Sequence, residues 1–255
     1  MTATSYQLLA TSYQLLATSH QLLATSHQLP APNGFAMTHA LAAQIVSLNV
    51  GLPRRVMWKG RSVLTGIFKE PVAGPVFARH LDLDGDRQAD LTVHGGPDKA
   101  VYVYPAEHYD LWRQELAPMA LPWDMFGENL TTRGLDEHGV LIGERFGVGE
   151  AVFVVTQPRQ PCYKLAVRFG RDDILRRFVR SRRTGWYFAV EREGTIEAGD
   201  PIIRLGAPAR SLSVAAVAEL LFTDTPDEEH MRVAATLPEL ADSLREYFRE
   251  QLAQP

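Results

Sequence analysis

The chain has one cysteine, Cys162, in 255 residues. That excludes an internal disulfide and a structural zinc site built on several cysteines. No run of about 18 apolar residues occurs, so no segment reads as a transmembrane helix. Charge is missing at the start, where no Lys, Arg, Asp or Glu precedes Arg54. A secretory signal needs a basic n-region and a continuous apolar core, and the first 36 residues supply neither. The net charge is −4, which gives no general pull toward nucleic acid or acidic membranes. No flavin, haem or iron–sulfur motif is present.

What the start does have is repetition. Residues 3–29 read ATSYQLL, ATSYQLL, ATSHQLL and ATSHQL. A coiled coil would place Leu8, Leu15, Leu22 and Leu29 on one stripe. Pairing charges are absent, however, and Thr-Ser in every unit weakens a helix. Residues 1–36 are therefore expected to be a repetitive, disordered or non-native leader, with Met37 as the expected start.

From Ile45 the texture changes. "IVSLNV", "RRVMW", "SVLTGIF", "PVFARHL", "LTVHGG", "AVFVVTQ", "WYFAV" and "PIIRL" are short apolar or β-branched runs, broken by Gly and Pro, and read as strands. Residues 105–116 place Tyr109, Trp112 and Leu116 on one helical face. "DDILRRFVRS" reads as a short helix. Many short strands with few helices predict a mainly β (α+β) domain over 37–209, closed or nearly closed into a barrel. Residues 210–255 read as three short amphipathic helices. Caps are expected at Ser213, at Thr225 with Glu228, and at Thr236 with Glu239.

Four stretches carry candidate chemistry. "QPRQPCYKL" (157–165) sets the lone thiol in a proline-flanked turn after a strong strand, with Arg159 and Lys164 close by. Buried free cysteine is commonly a small apolar filler. Here the nearby cations favour the thiolate, a soft metal ligand or a nucleophile. With no second cysteine, any metal would have to arrive with ligands of its own. "VHGGPDKA" offers Gly95 and Gly96 for a sharp turn, between His94 and Lys99, and suits an anion. "FGENLTTRGLDE" offers Asn129 as a neutral hydrogen-bonding group. Glu128, without a visible partner, reads as a structural acceptor. The arginines from Arg168 to Arg183 are mostly solvated charges, with one or two able to clamp a phosphate.

In order, "DLDGDRQADLTVHGGPDKAVYVYPAEHYDLW", "FGENLTTRGLDE", "IGERFGVGEAVFVVTQPRQPCYKLA" and "GWYFAV…AGDPI" resemble the MOSC domain, named for the C-terminal domain of molybdenum cofactor sulfurase. The resemblance runs from about Ile45 to Leu205 and is strongest to the YiiM-like branch. The three-helix tail resembles the 3-alpha domain that follows MOSC in that branch. "LDLDGD" and "IGER" depart from the usual pattern, as turn variants.

The resemblance implies a barrel-like fold that binds the molybdenum cofactor, a pyranopterin dithiolene with a phosphate. Cys162 would be the molybdenum ligand, which resolves the lone-thiol puzzle because the metal arrives held by its dithiolene. Gly95, Gly96, Lys99, Asn129, Arg159, Lys164 and Arg183 would bind the cofactor, and His94 would relay a proton. The implied activity is reduction of N-hydroxylated compounds, of hydroxylaminopurine or amidoxime type, by oxygen transfer to molybdenum, a detoxification. The electrons would come from a separate reductase, in the cytoplasm, with no nucleic-acid or membrane partner; a homodimer stays open. Two alternatives are a cofactor or sulfur carrier using a Cys162 persulfide, and a non-catalytic binding module. Pyridoxal phosphate attaches to the family only as a generic label.

Overall fold

The computed structural model describes residues 43–90 and 95–253. The repeats, the expected start at Met37, the expected "LTVH" strand and His94 all lie outside the described residues. No helix among those described is long and apolar enough to cross a membrane.

The strands are β1 (Gln44–Val50), β2 (Arg54–Trp58), β3 (Arg61–Thr65), β4 (Glu70–Pro71), β5 (Val76–Ala78), β6 (Val101–Pro105), β7 (Leu130–Arg133), β8 (Arg145–Val148), β9 (Ala151–Pro158), β10 (Trp186–Arg192), β11 (Gly194–Ile196) and β12 (Ile202–Gly206). The helices are α1 (Ala106–Glu115), α2 (Tyr163–Phe169), α3 (Ile174–Ser181), α4 (Val214–Phe222), α5 (Glu228–Ala234) and α6 (Asp242–Leu252). Eight strands form one mixed sheet in the order β12-β8-β9-β10-β6-β7-β1-β4. Its one parallel pair is β6 with β7.

Of the expected closed or nearly closed barrel, the closed form is not made. Among the described residues no ladder joins β12 to β1. The seam is an isolated bridge, Gln44 opposite Pro201, with the Ile45 N–H donating to the Asp200 carbonyl (3.0 Å) and the Ile202 N–H to the Ala43 carbonyl (2.7 Å). Proline at 201 has no N–H to give a ladder, so pairing stops there.

The sheet has two differently filled faces. β6 reads VYVYP, and side chains alternate along a strand. Val101 and Val103 join one core with Phe146, Phe153, Val155, Trp186 and Phe188. Tyr102 and Tyr104 point the other way, into a second core with Tyr109, Trp112, Phe126, Leu165, Phe169 and Phe178. β9 is buried along nearly its whole length because it lies between β8 and β10, with β-branched Val152, Val154, Val155 and Thr156 suited to that position.

The C-terminal helices complete the first core. Val217, Leu220, Met231, Leu244 and Phe248 belong to the same cluster as the strands. Ser213 caps α4 as expected, its hydroxyl accepting the Ala216 N–H at 3.1 Å. The other two expected caps are not made. Asp227, not Thr225, caps α5 and accepts the His230 N–H at 2.7 Å. Thr236 ends α5, its hydroxyl 2.9 Å from the Val233 carbonyl, and α6 begins only at Asp242. A Thr-x-x-Glu spacing cannot distinguish a helix start from the close of the helix before it.

Candidate functional site

β9 delivers the chain to Pro158, and the segment Arg159–Pro161 leaves the sheet. Pro161 disfavours helical backbone at Gln160, keeping this exit extended. Cys162 then caps α2 with extended dihedrals (φ −121°, ψ 167°), and its carbonyl accepts the Leu165 N–H at 2.9 Å. A helix starting at Tyr163 is absent from the sequence reading, which sees only a stiff turn. Cys162 is half-buried and opens onto a cavity of about 100 Å³ whose mouth is open to solvent.

Six of the predicted site residues meet at that cavity: Gly95, Lys99, Asn129, Arg159, Cys162 and Lys164. Gly95 and Gly96 have φ of 89° and 85°, a left-handed backbone that favours glycine. The turn they open is tied to β9, the strand that leads to the thiol, since the Thr156 hydroxyl lies 2.6 Å from the Asp98 carbonyl. Two predicted residues fall elsewhere. Gly96 borders a neighbouring cleft beside Arg79 and His80. Arg183 lies over Trp112, donates to Glu115 at 2.8 Å and lines another cleft. Its proximity in sequence to β10 is misleading, because it sits in the loop before the strand.

Arg159 is not the solvated turn cation its sequence context suggests. It is only 6% exposed, its guanidinium 4.7 Å from the Tyr102 ring centre and 5.7 Å from that of Phe178. One guanidinium N–H donates to the Phe126 carbonyl. Burial works against this charge, yet Tyr102, Tyr187 and Cys162 beside it hold Arg159 above its ordinary pKa. No carboxylate is among those neighbours. Burial likewise pushes the Tyr102 and Tyr187 hydroxyls up. These two tyrosines are cross-strand partners, 5.2 Å between ring centres, and form the cavity floor.

The lining also holds a pair that sequence reading missed. Lys69 and Asp86 form an ion pair, and both are almost fully buried. Asp86 also accepts the Gly51 N–H at 3.0 Å and the Asn129 side-chain amide at 2.9 Å. Asn129 in turn accepts the Tyr102 N–H at 3.0 Å. Its amide is thus engaged by protein, and it orients Asp86 and Lys69 at the wall. The faint signals were a lysine in the apolar run "GIFKEP" and an aspartate after "LDLDG"; nothing in their spacing links them. Glu128 is a structural acceptor, as read. It is fully buried, taking bonds from Tyr109, Thr131 and the N–H groups of Asp124 and Phe126.

The cavity lining therefore carries five cations, Lys69, Arg87, Lys99, Arg159 and Lys164, against one carboxylate, Asp86, and one thiol. Such a wall attracts an anionic ligand, and the thiol offers that ligand one soft donor.

The MOSC domain family matches residues 90–203, and the YiiM-like 3-alpha helix domain matches residues 212–254. An uncharacterised protein of Bacillus subtilis, YflK, is 39% identical over 207 residues, 81% of this chain and 93% of its own length. The protein YiiM of Escherichia coli is 41% identical over 140 residues, 54% of this chain and 62% of its own. A protein of Gibberella moniliformis named reductase is 37% identical over 158 residues, 61% of this chain but 28% of that longer one. Among solved structures, YiiM from Geobacillus stearothermophilus aligns over 83% of this chain and all of its own, with a TM-score of 0.70 at 34% identity.

Proposed function

The chain belongs to the MOSC family, in its YiiM-like branch, and from that premise we propose that it is a molybdenum-cofactor-dependent reductase of small N-hydroxylated compounds. The observation that carries the reading is the cavity's composition, one thiol in a lining with five cations, of which Lys69 and Arg87 are paired with Asp86 and Asp82. A phosphate-bearing dithiolene pterin is an anion that needs one further soft ligand, and these residues fit it. Bound there, the cofactor would supply two-electron redox chemistry suited to the reduction of an N–OH group.

The chain's own residues do the rest. Cys162 gives the thiolate ligand, its direction set by the end of β9 and the first turn of α2. Arg159 cannot swing away, because two rings and the Phe126 carbonyl hold it, so its charge stays fixed beside the thiolate. That is a preorganised dipole of the kind that stabilises charge in a closed site. Lys99 and Lys164, on two different segments, supply cations for the phosphate end. The Lys69–Asp86–Asn129 group keeps one cation in the lining with its carboxylate spoken for. His94 is retained as the proton relay, adjoining Gly95. The reaction takes place in the cytoplasm, where the thiol stays reduced, and the electrons come from a separate reductase. The relative named reductase points the same way.

The test uses protein made in a host that produces the cofactor, wild type beside Cys162→Ala. Molybdenum and oxidised-pterin fluorescence near one per chain in wild type, with molybdenum and turnover of a hydroxylaminopurine lost in the variant, support the reading. Neither metal nor pterin in wild type from such a host sinks it. A persulfide on Cys162 by mass spectrometry would then turn attention to sulfur transfer.

A further inference from the structure

The arginines of α3 are not used by the cavity. Arg176, Arg177, Arg180 and Arg183 line a separate cleft with Glu115, Asp173 and Ser181. Two of the four are neutralised, Arg177 by Asp173 at 2.7 Å and Arg183 by Glu115 at 2.8 Å. Arg176 and Arg180 are exposed, and among the described residues their side chains make no ion pair or hydrogen bond. They stand one turn apart on one helix face, where like charges repel and destabilise. A cation near a helix C-terminus is favourable, which accounts for Arg180 but not for Arg176. A chain with a net charge of −4 thus gathers unmatched positive charge at one place.

That place is set by the other side of the same helix. Phe178, between the two arginines in sequence, is fully buried, and its ring lies 5.7 Å from the Arg159 guanidinium. Arg159 and Cys162 line the same cavity. A helix with its side chains is about 10–12 Å across. The cationic face is therefore separated from Arg159 by roughly one helix diameter, on the side away from the substrate cavity.

We propose that the outer face of α3 is the docking surface for an acidic electron-donor protein, recognised through Arg176 and Arg180. This rests on the reductase reading, because a chain without flavin, haem or iron–sulfur motifs must receive electrons from a partner. Docking there delivers electrons through the protein while the cavity mouth stays open to substrate. Charges at the rim of an interface act mainly on association rate and salt dependence.

The probe is flavodoxin, an acidic one-electron flavoprotein. Its binding to the chain is measured by interferometry at low and near-physiological salt, without and with cofactor. Separately, turnover of the loaded chain is driven by photoreduced flavodoxin or by reduced methyl viologen. Expected results are salt-sensitive binding, at least tenfold weaker in the Arg176→Glu/Arg180→Glu variant, and a matching loss of flavodoxin-driven kcat/KM. Reversal of two hairpin charges that do not line this cleft, Arg55→Glu/Arg61→Glu, is expected to leave binding within twofold. The proposal is overturned if wild type does not bind flavodoxin at low salt, if the α3 variant binds as wild type does, or if the hairpin variant loses as much. A loaded chain inactive even with methyl viologen sinks the reductase reading instead, while the binding data judge the surface on their own.

Discussion

The two faces of the main sheet share their strands and differ in chemistry. One is filled by aliphatic and phenyl groups from the strands and from α4, α5 and α6, with few polar atoms. The other, under α1, α2 and α3, is filled largely by tyrosine, tryptophan and phenylalanine, and it carries the thiol. There the packing residues bring hydroxyls and ring faces. The Trp112 indole donates to the Tyr104 hydroxyl at 2.7 Å, Tyr109 donates to Glu128, and Arg159 lies against two rings. The first cluster has rings too, but no tyrosine hydroxyl. Aromatic side chains both exclude water and stabilise the cation. The comparison teaches that one alternating strand can serve a structural core and a chemical site together.

Four substitutions test that division, the largest effect first. Phe153→Ala removes a fully buried ring stacked 5.2 Å from Phe188 on the first face. It is expected to cost about 3–5 kcal/mol of folding free energy, read from denaturant midpoints. A cost below 1 kcal/mol would show that this face is not the stabilising core.

Cys162→Ala should behave in the opposite way. Stability shifts by less than about 1 kcal/mol, since the side chain is small and half-buried. Metal retention and turnover fall by about 100-fold or more. If stability collapses instead, the thiol is packing and not a ligand.

Glu128→Gln lies between these. It weakens the acceptor for Tyr109 and for two backbone N–H groups, at a cost of about 1–3 kcal/mol, and adds disorder at Asn129 next to it. Wild-type stability in the variant would mean that the polar network of the second face is decorative.

The smallest effect is pH-dependent. Burial pushes the Asp124 carboxyl up to about 6 although Arg168 opposes this. The folded chain thus binds that proton more tightly than the unfolded chain does. Stability from this source is full below about pH 4 and is lost as pH rises through 6. The advantage of wild type over Asp124→Asn should therefore shrink by about 1 kcal/mol between pH 5 and 7.5. A widening gap would show that the Arg168 Nη2 group, donating to both Asp124 oxygens at 2.7 and 2.8 Å, outweighs burial.

Much of the site was legible because it is local. Cys162 is the only thiol, it follows a strong apolar strand, and Gly95-Gly96 announces a turn with left-handed backbone. Arg183 was misplaced for the same reason, because residue type and nearness in sequence say nothing about which cleft a loop faces. Lys69 and Asp86 were illegible, being 17 residues apart with nothing in their spacing to mark the pair. α2 escaped notice because a seven-residue helix shows too little periodicity and has a cysteine at its cap.

By itself the sequence determined the alternation of VYVYP, the β-branched run of β9, the cap at Ser213 and the presence of a single thiol. These are properties of neighbours along the chain, set by backbone sterics and hydrophobic periodicity. Only the tertiary structure decided that the sheet meets itself at an isolated bridge, that the C-terminal helices share the strands' core, and that Arg159 is buried against tyrosines. Burial and ion pairing depend on which distant surfaces come together, and long-range packing chooses those among several partners that local pattern leaves equivalent.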